Sequence, residues 1–309
     1  MTSLPGDRRG PGAPGAAPPE RPPGVPVTYH SQGVRCAALL WRPPDLLAAP
    51  AVVLCHGFRG IKEWALPEFA ALFAELGYVA LAIDYRGFGG SDGQRGRLVP
   101  AEQVEDIRSA LSWLEAQPYV DGTRLHLYGT SFGGANVVAA AAADERVRAV
   151  VCQVGIGDVR RAWPDAYRRF KDRMREDRIR RAVTGRSETV DPGEVLDNAQ
   201  SNAAFAVAER RWPQLRQRFP LEALDRIFEF APERVVADIA PRGVLFIGAS
   251  SDEAVPVQET QSLYDAAAQP KRLEVFDIEH YAIYESPHRE RAVALSHEFF
   301  DAATAGRDP

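Results

Sequence analysis

Cysteine is scarce in this chain. Three occur in 309 residues, Cys36, Cys55 and Cys152, each inside an apolar run. An odd count without paired spacing speaks against a disulfide framework or a zinc site. It fits buried free thiols in a reducing compartment, so a cytoplasmic protein is expected. Long hydrophobic runs are missing as well. No stretch approaches the roughly 20 apolar residues of a transmembrane helix. Arg8 and Arg9 are not followed by the apolar segment of a secretion signal. No membrane partner is expected. Nor is there a basic excess: the net charge is −5 and the isoelectric point near 5.8. That balance gives no reason to expect nucleic acid as a partner. No internal repeat is visible.

What is present is a chain that is 45% hydrophobic, enough for one large α/β domain with or without an insertion. Half of residues 1–26 are Pro or Gly, a composition that buries too little apolar area to offset its ordering entropy. This segment reads as a disordered tail. From residue 27 onward, strand-like and helix-like runs alternate. "VPVTY" and "VRCAALLW" pair across "HSQG". "AVVLC" (51–55), "VALAI" (79–83), "RLHLY" (124–128) and "VRAVVCQV" (147–154) read as buried strands. Helices are expected near 67–76, 101–116 and 135–143. In the second of these, Val104, Ile107, Leu111 and Leu114 form one apolar face. After Gly157 the alternation stops, and residues 158–232 read as charged helix with no convincing strand. It resumes with "GVLFIGAS" (243–250), a helix near 258–268, "KRLEVFDI" (271–278) and a helix near 288–303. The pattern predicts an α/β fold: a mostly parallel sheet with helices on both faces. Its core spans 27–157 and 233–309, interrupted by a helical cap at 158–232.

One stretch departs from core chemistry. "LHLYGTSFGGANVV" places Ser131 between Gly129 and Gly133, where a strand passes into a helix. A serine is a weak nucleophile unless held exposed beside a base. A sharp strand-to-helix turn exposes it, and side chains two residues before and after would collide there. Glycine removes the collision, giving the G-x-S-x-G nucleophile elbow. Acyl transfer also needs two donors for a developing oxyanion. The backbone N–H of Phe132 is one. The other is the N–H of Phe58, in the "LCHGFRG" loop that ends an earlier strand. His56 in that loop reads as a loop support.

Of six histidines, His280 directly follows a strand, at the sheet edge where active sites of such folds assemble. His126 lies mid-strand, His288 and His297 in the last helix, and His30 in an N-terminal turn. The acid that orients the base is expected after the penultimate strand. There Asp252 is preferred over Glu253 and Asp277.

Taken in order, "CHGFRGIKEW", "DYRGFGGSDG", "YGTSFGG", "SSDEAVP" and "EHYAIY" resemble the α/β-hydrolase superfamily. Within it they resemble capped serine esterases of the dienelactone-hydrolase and prolyl-oligopeptidase-like branch. The resemblance covers roughly 34–157 and 235–303. It implies the chain order Ser131, Asp252, His280 for a catalytic triad. It also implies an acyl-enzyme mechanism without metal or organic cofactor. Dienelactone hydrolases proper carry a cysteine nucleophile, where this chain has Ser131. Haloalkane dehalogenases and epoxide hydrolases carry an aspartate at that position.

Between residues 159 and 186 stand eleven Arg or Lys against four Asp or Glu. They form either an electropositive entrance for an acidic or carrier-bound substrate, or, as preferred here, an ion-paired solvated helix face. Tyr85, Phe88, Trp163, Tyr167 and Tyr281 are the candidate substrate-binding side chains, with Phe170, Phe205 and Trp212 either lining the same pocket or pinning the cap. The leading reading is hydrolysis of a small-molecule carboxylic ester. Thioesterase, amidase or peptidase, and acyltransferase activities use the same residues and remain alternatives. A non-catalytic binding protein on this fold is the reading from another class. The oligomeric state is left open, a homodimer included.

Overall fold

The computed structural model describes residues 22–44 and 48–306. Most of the expected tail, residues 1–21, lies outside the described residues. The tail ends earlier than residue 26: β1 (Val25–Ser31) already includes Val25 and Pro26. Just before it, the Trp41 indole donates to the Pro22 carbonyl at 3.0 Å. His30 belongs to this strand, not to a turn, and pairs with Arg35 of β2 (Val34–Trp41).

The elements that follow alternate as the apolar pattern requires. They are β3 (Ala49–Cys55), α1 (Leu66–Glu75), β4 (Val79–Ile83), α2 (Pro100–Glu115), β5 (Val120–Thr130), α3 (Phe132–Ala143) and β6 (Val147–Gln153). The intervening segment holds α4 (Val159–Ala162), α5 (Pro164–Thr184), β7 (Thr189–Val190), α6 (Ala199–Arg211), β8 (Phe219–Pro220) and α7 (Leu221–Glu229). The alternation resumes with β9 (Gly243–Ala249), α8 (Val257–Ala266), β10 (Lys271–Phe276) and α9 (His288–Thr304). One expectation fails in the intervening segment: β7 and β8 form a small antiparallel pair. Two-residue strands are too short to leave a periodicity in the sequence.

The main sheet has eight strands in the order β1-β2-β4-β3-β5-β6-β9-β10. β2 is antiparallel to both neighbours, and every pairing from β4 to β10 is parallel. Parallel strands covered on both faces bury both sets of side chains. So Val52 and Leu54 enter one core layer, and Ala51, Val53 and Cys55 the other. Helices α1 and α9 close the first layer. There Phe73 contacts Tyr78, Tyr128 and Phe300. Phe73 is fully buried, and its truncation to Ala would cost roughly 3–5 kcal/mol. Helices α2, α3 and α8 cover the other layer. The three cysteines are buried and unpaired. Among the described residues no helix is long and apolar enough to cross a membrane.

The strand order reverses between β3 and β5. From β3 the chain moves outward to β4, returns through α2 to β5, and then proceeds the other way to β6. Loops leaving β3 and β5 therefore part to opposite sides and open a crevice at the sheet's carboxyl edge.

Two buried histidines lie away from this edge or beneath it. His126 stacks on Phe300 at 4.2 Å with neither ring nitrogen hydrogen bonded. Burial pushes it down to about 3, and burial pushes His56 down to about 4. Both rings are thus neutral in the folded chain and protonate on unfolding below about pH 6.5. The unfolded state then binds more protons, so stability falls as pH drops from about 6.5 toward 4, by about 1.4 kcal/mol per pH unit for each ring. His126→Phe should remove one of these contributions. Urea unfolding at pH 7 and at pH 5 should show a smaller acid loss in the variant. An unchanged loss would mean that His126 is not the group that titrates.

Candidate active site

Ser131 sits in the crevice, between the last residue of β5 and the first of α3. Its backbone is at φ 57, ψ −125, a region that costs a non-glycine residue about 1–3 kcal/mol. Close packing holds it there. The Ser131 N–H donates to the Gln153 carbonyl at 2.8 Å, and the Ser131 carbonyl accepts from Gly134 N–H at 2.9 Å. A Cβ on Gly129 would lie 2.1 Å from the Gly133 carbonyl oxygen. One on Gly133 would lie 2.3 Å from that of Cys55. The elbow thus presses directly on the end of β3, and glycine is a steric requirement at both positions. Below it runs a polar chain. Tyr128 donates to Gln153, Gln153 donates to Thr130 Oγ1 at 2.9 Å, and Thr130 Oγ1 meets the Tyr284 hydroxyl at 2.9 Å.

The loop after β3 crosses above the elbow. A Cβ on Gly57 would approach Ser131 Cβ to 2.9 Å. Phe58 and Phe132 amide groups have no acceptor among the described residues. Phe132 opens α3, where helical amides lack an intrahelical partner. The loop is anchored by Lys62. Its amide and ammonium donate to the two oxygens of buried Asp84 at 2.7 and 2.6 Å. The neutral His56 ring has Nδ1 2.9 Å from the Gly57 carbonyl and an edge-on contact with Tyr85 at 4.7 Å. This is the supporting position expected of it.

His280 begins a single 3-10 turn, His280–Tyr284, after β10. Its Nδ1 lies 2.6 Å from Asp252 Oδ2, with both side chains almost fully buried. A carboxylate accepts only, so Nδ1 bears a proton and donates it to Asp252, leaving Nε2 as the ring nitrogen not engaged by the carboxylate. Asp252 Oδ1 accepts from Ala254 and Val255 N–H at 2.8 and 2.7 Å, which fixes the carboxylate plane. The rival acids stand elsewhere. Asp277 accepts from Ser250 at 2.7 Å, and Glu253 from the amide of Gln200 at 3.4 Å.

Ser131, His280, Gly57 and Phe58 line one cleft of about 410 Å³, with Leu196, Phe205, Trp64, Tyr281 and Tyr284 as its apolar wall. Of the five candidate substrate-binding residues, the structure brings Tyr281 to this cleft, and Phe205, offered as lining or pinning, lines it too. Tyr85 and Phe88 are buried beneath it: Phe88 packs on His56 and Phe219. Trp163 packs on Phe58 and Phe132, and its indole donates to the Ala254 carbonyl at 2.8 Å. Tyr167 lies between Phe228 and the guanidinium of Arg160. Aromatic side chains near a site in sequence carry no mark of which way they point, and these four were taken up by packing. Phe170 is likewise fully buried.

Two residues at the site went unrecognised in the sequence. Gln200 at the start of α6 accepts from His280 N–H and Glu253 N–H, both at 3.2 Å, and donates to the Ser251 carbonyl at 2.8 Å. It bridges the two loops that carry Asp252 and His280. Arg59 has φ 50 and a buried guanidinium that pairs with Glu209 and lies over Phe205 at 4.0 Å. Nothing in the local sequence marks a glutamine in a polar helix start as such a bridge.

The family profile of serine aminopeptidases, S33, matches residues 48–286. The chain belongs to this family of α/β-hydrolases. It is an enzyme of that class, and its family places a small molecule as substrate. An uncharacterized 31.7 kDa protein of the traX–finO intergenic region of Escherichia coli is 35% identical over 89% of this chain and 98% of its own length. The thiohydrolase aneE of Aspergillus aculeatus is 27% identical over 74% of this chain and 77% of its own length. The polyketide transferase grgF of Penicillium sp. is 26% identical over 76% and 82%. The crystal structure of GrgF shares the fold, with a TM-score of 0.80 over 92% of this chain and 99% of that one at 23% identity.

Because the elbow glycines face backbone oxygens that cannot move aside, Gly133→Ala should destabilise the fold by more than about 3 kcal/mol. The measurement is the urea midpoint at unchanged slope. A loss below about 1 kcal/mol would show that the contact with β3 relaxes.

Proposed function

We propose that the protein is a serine hydrolase of carboxylic esters working through an acyl-enzyme. The observation that carries this reading is the cleft shared by Ser131 and a His280 ring oriented by Asp252 at 2.6 Å. Ser131 Oγ attacks the ester carbonyl carbon while His280 Nε2 takes its proton. The Phe58 and Phe132 N–H groups receive the oxyanion. As the C–O bond breaks, His280 gives the proton to the departing alcohol. Water, activated by the same ring, then releases the acid. Asp252 holds Nδ1–H and stabilises the imidazolium. Ser131 and His280 face the same cleft without a hydrogen bond between them, and the proposed mechanism requires Ser131 Oγ and His280 Nε2 to meet when substrate binds. Residues 158–232 act as the cap: Leu196 and Phe205 from this segment wall the cleft. The dienelactone-hydrolase-like branch and a cytoplasmic location belong to the same proposal, the latter resting on three buried free thiols.

A second reading keeps these residues and changes the bond or the acceptor. Relatives named thiohydrolase and polyketide transferase favour a thioester substrate or acyl transfer. Oxyester and thioester forms of one acyl group, with and without an added nucleophile, separate the two.

Intact-mass measurement after fluorophosphonate treatment should show one adduct on the wild type and none on Ser131→Ala. Turnover of p-nitrophenyl esters should fall at least about 10³-fold in that variant. An adduct on both proteins, or activity that survives the substitution, would overturn the role of Ser131.

Gln200 is proposed as a positioning residue. Removing hydrogen bonds worth about 1 kcal/mol each from the loops of Asp252 and His280 should lower kcat about tenfold in Gln200→Ala. KM should change little, and the acid limb of the pH–rate profile should shift. Loss of thermal stability with an unchanged kcat and pH profile would reduce Gln200 to a structural contact.

A further inference from the structure

Outside the cleft lies a larger groove of about 1060 Å³, running along α6. We infer that this groove binds the leaving-group portion of the substrate and accepts an uncharged apolar or aromatic alcohol or thiol. The inference rests on the serine-hydrolase reading above and adds the substrate class to it.

Continuity is the first argument. Trp64, Tyr281 and Tyr284 line both the cleft and the groove, so the two spaces meet along these three rings and a substrate reaching from Ser131 past them enters the groove. Direction is the second. The departing oxygen or sulfur takes its proton from His280, so it must leave on the His280 side. Glu279, Tyr281, Tyr284 and Glu285, the residues flanking His280 in the chain, form the groove's edge on that side. In the step itself, the bond from the carbonyl carbon to the departing atom breaks. The acyl group stays on Ser131 Oγ, and the proton first taken from Ser131 ends on the departing atom.

The lining sets the chemistry. Trp64 and Trp212 offer aromatic surface, and Ala203 and Ala204 on α6 keep one wall shallow. Val207 stands 62% exposed beside them. Charge speaks against a phosphorylated carrier arm. Arg211 is the groove's only cation among its lining residues, it lies over Trp212 at 4.8 Å, and two carboxylates, Glu279 and Glu285, line the same groove. The basic stretch of α5 does not supply the missing charge. Arg173, Arg178, Arg180 and Arg181 pair with Glu188, Asp177 and Asp225 of the same segment.

The test uses two ester series on the full chain. One keeps the acetyl group and varies the alcohol from methyl to phenyl to 2-naphthyl. The other keeps the methyl alcohol and lengthens the acyl group from acetyl to octanoyl. Ala204→Trp should fill the groove and lower the naphthyl-to-methyl ratio of kcat/KM at least tenfold relative to wild type. Comparing ratios cancels the intrinsic reactivity of each alcohol. The octanoyl-to-acetyl ratio should stay within twofold. Val207→Asp, at an exposed position, repeats the test if the tryptophan variant fails to fold, and should lower the same ratio. A fall in the acyl-length ratio instead would place the acyl chain in the groove and overturn the inference. Unchanged ratios in both series would do the same. Failure of the hydrolase reading looks different: the wild type would take no fluorophosphonate at Ser131 and turn over neither series, removing both proposals together.

Discussion

The approach of the first turn of α3 to the end of β3 is the constraint on which the rest of this structure depends. Backbone meets backbone there, with glycine at 129 and 133 because no Cβ fits. That contact places Ser131 in a strained conformation and brings the loop of Phe58 within reach of it. The strand-order reversal between β3 and β5 makes it geometrically available, since only at a reversal do adjacent loops leave in opposite directions. The strain at Ser131 is offset by the burial of α3 on β5 and β6, where nearly every side chain of the helix is enclosed.

A second constraint couples the inserted segment to the sheet edge. Gln200 bonds both loops that carry the proposed acid and base, Trp163 bonds the loop after Asp252, and Arg59 reaches from beside Phe58 to Glu209. Tyr281 adds a bond to Ser201 at 3.0 Å. These contacts tie α6 to the His280 turn more closely than a lid that swings free would require. On the proposed mechanism, ordering of the insertion and assembly of the acid–base pair are therefore one event. A local opening of α6 would disorder His280 even with the sheet intact.

The sheet and the proposed reacting residues were legible in the sequence for a common reason. Buried parallel strands read as short continuous apolar runs, and β4 matches "VALAI" residue for residue. Ser131 was legible because its glycines answer a local steric demand. Asp252 and His280 were legible because they directly follow strands, whose ends fix where a side chain can be. What was not legible depends on contacts distant in sequence. Tyr85, Phe88, Trp163 and Tyr167 are aromatic side chains whose direction is decided by neighbours far along the chain, as with Phe88 against Phe219 and Trp163 against Phe58. Gln200 belongs to the same class: its partners Ser251 and His280 lie far along the chain.

The charge of the inserted segment completes the picture of how substrate is selected. Eleven basic residues between 159 and 186 would create a strong field if unpaired. Carboxylates brought back by the fold, Asp225 from α7 and Glu188 before β7 among them, neutralise much of it locally. The exposed pairs among them, such as Arg173 with Glu188, add little stability, about 0–1 kcal/mol each. Their consequence is for recognition: with the basic face balanced, long-range attraction of an anionic substrate is weak. Selection then falls to shape and apolar contact in a cleft walled by Leu196, Phe205, Trp64 and Tyr281. Such a wall discriminates modestly between neighbouring homologues, by about 1–3 kcal/mol per methylene group. On the proposed reading, such an enzyme accepts a series of related substrates and ranks them by fit.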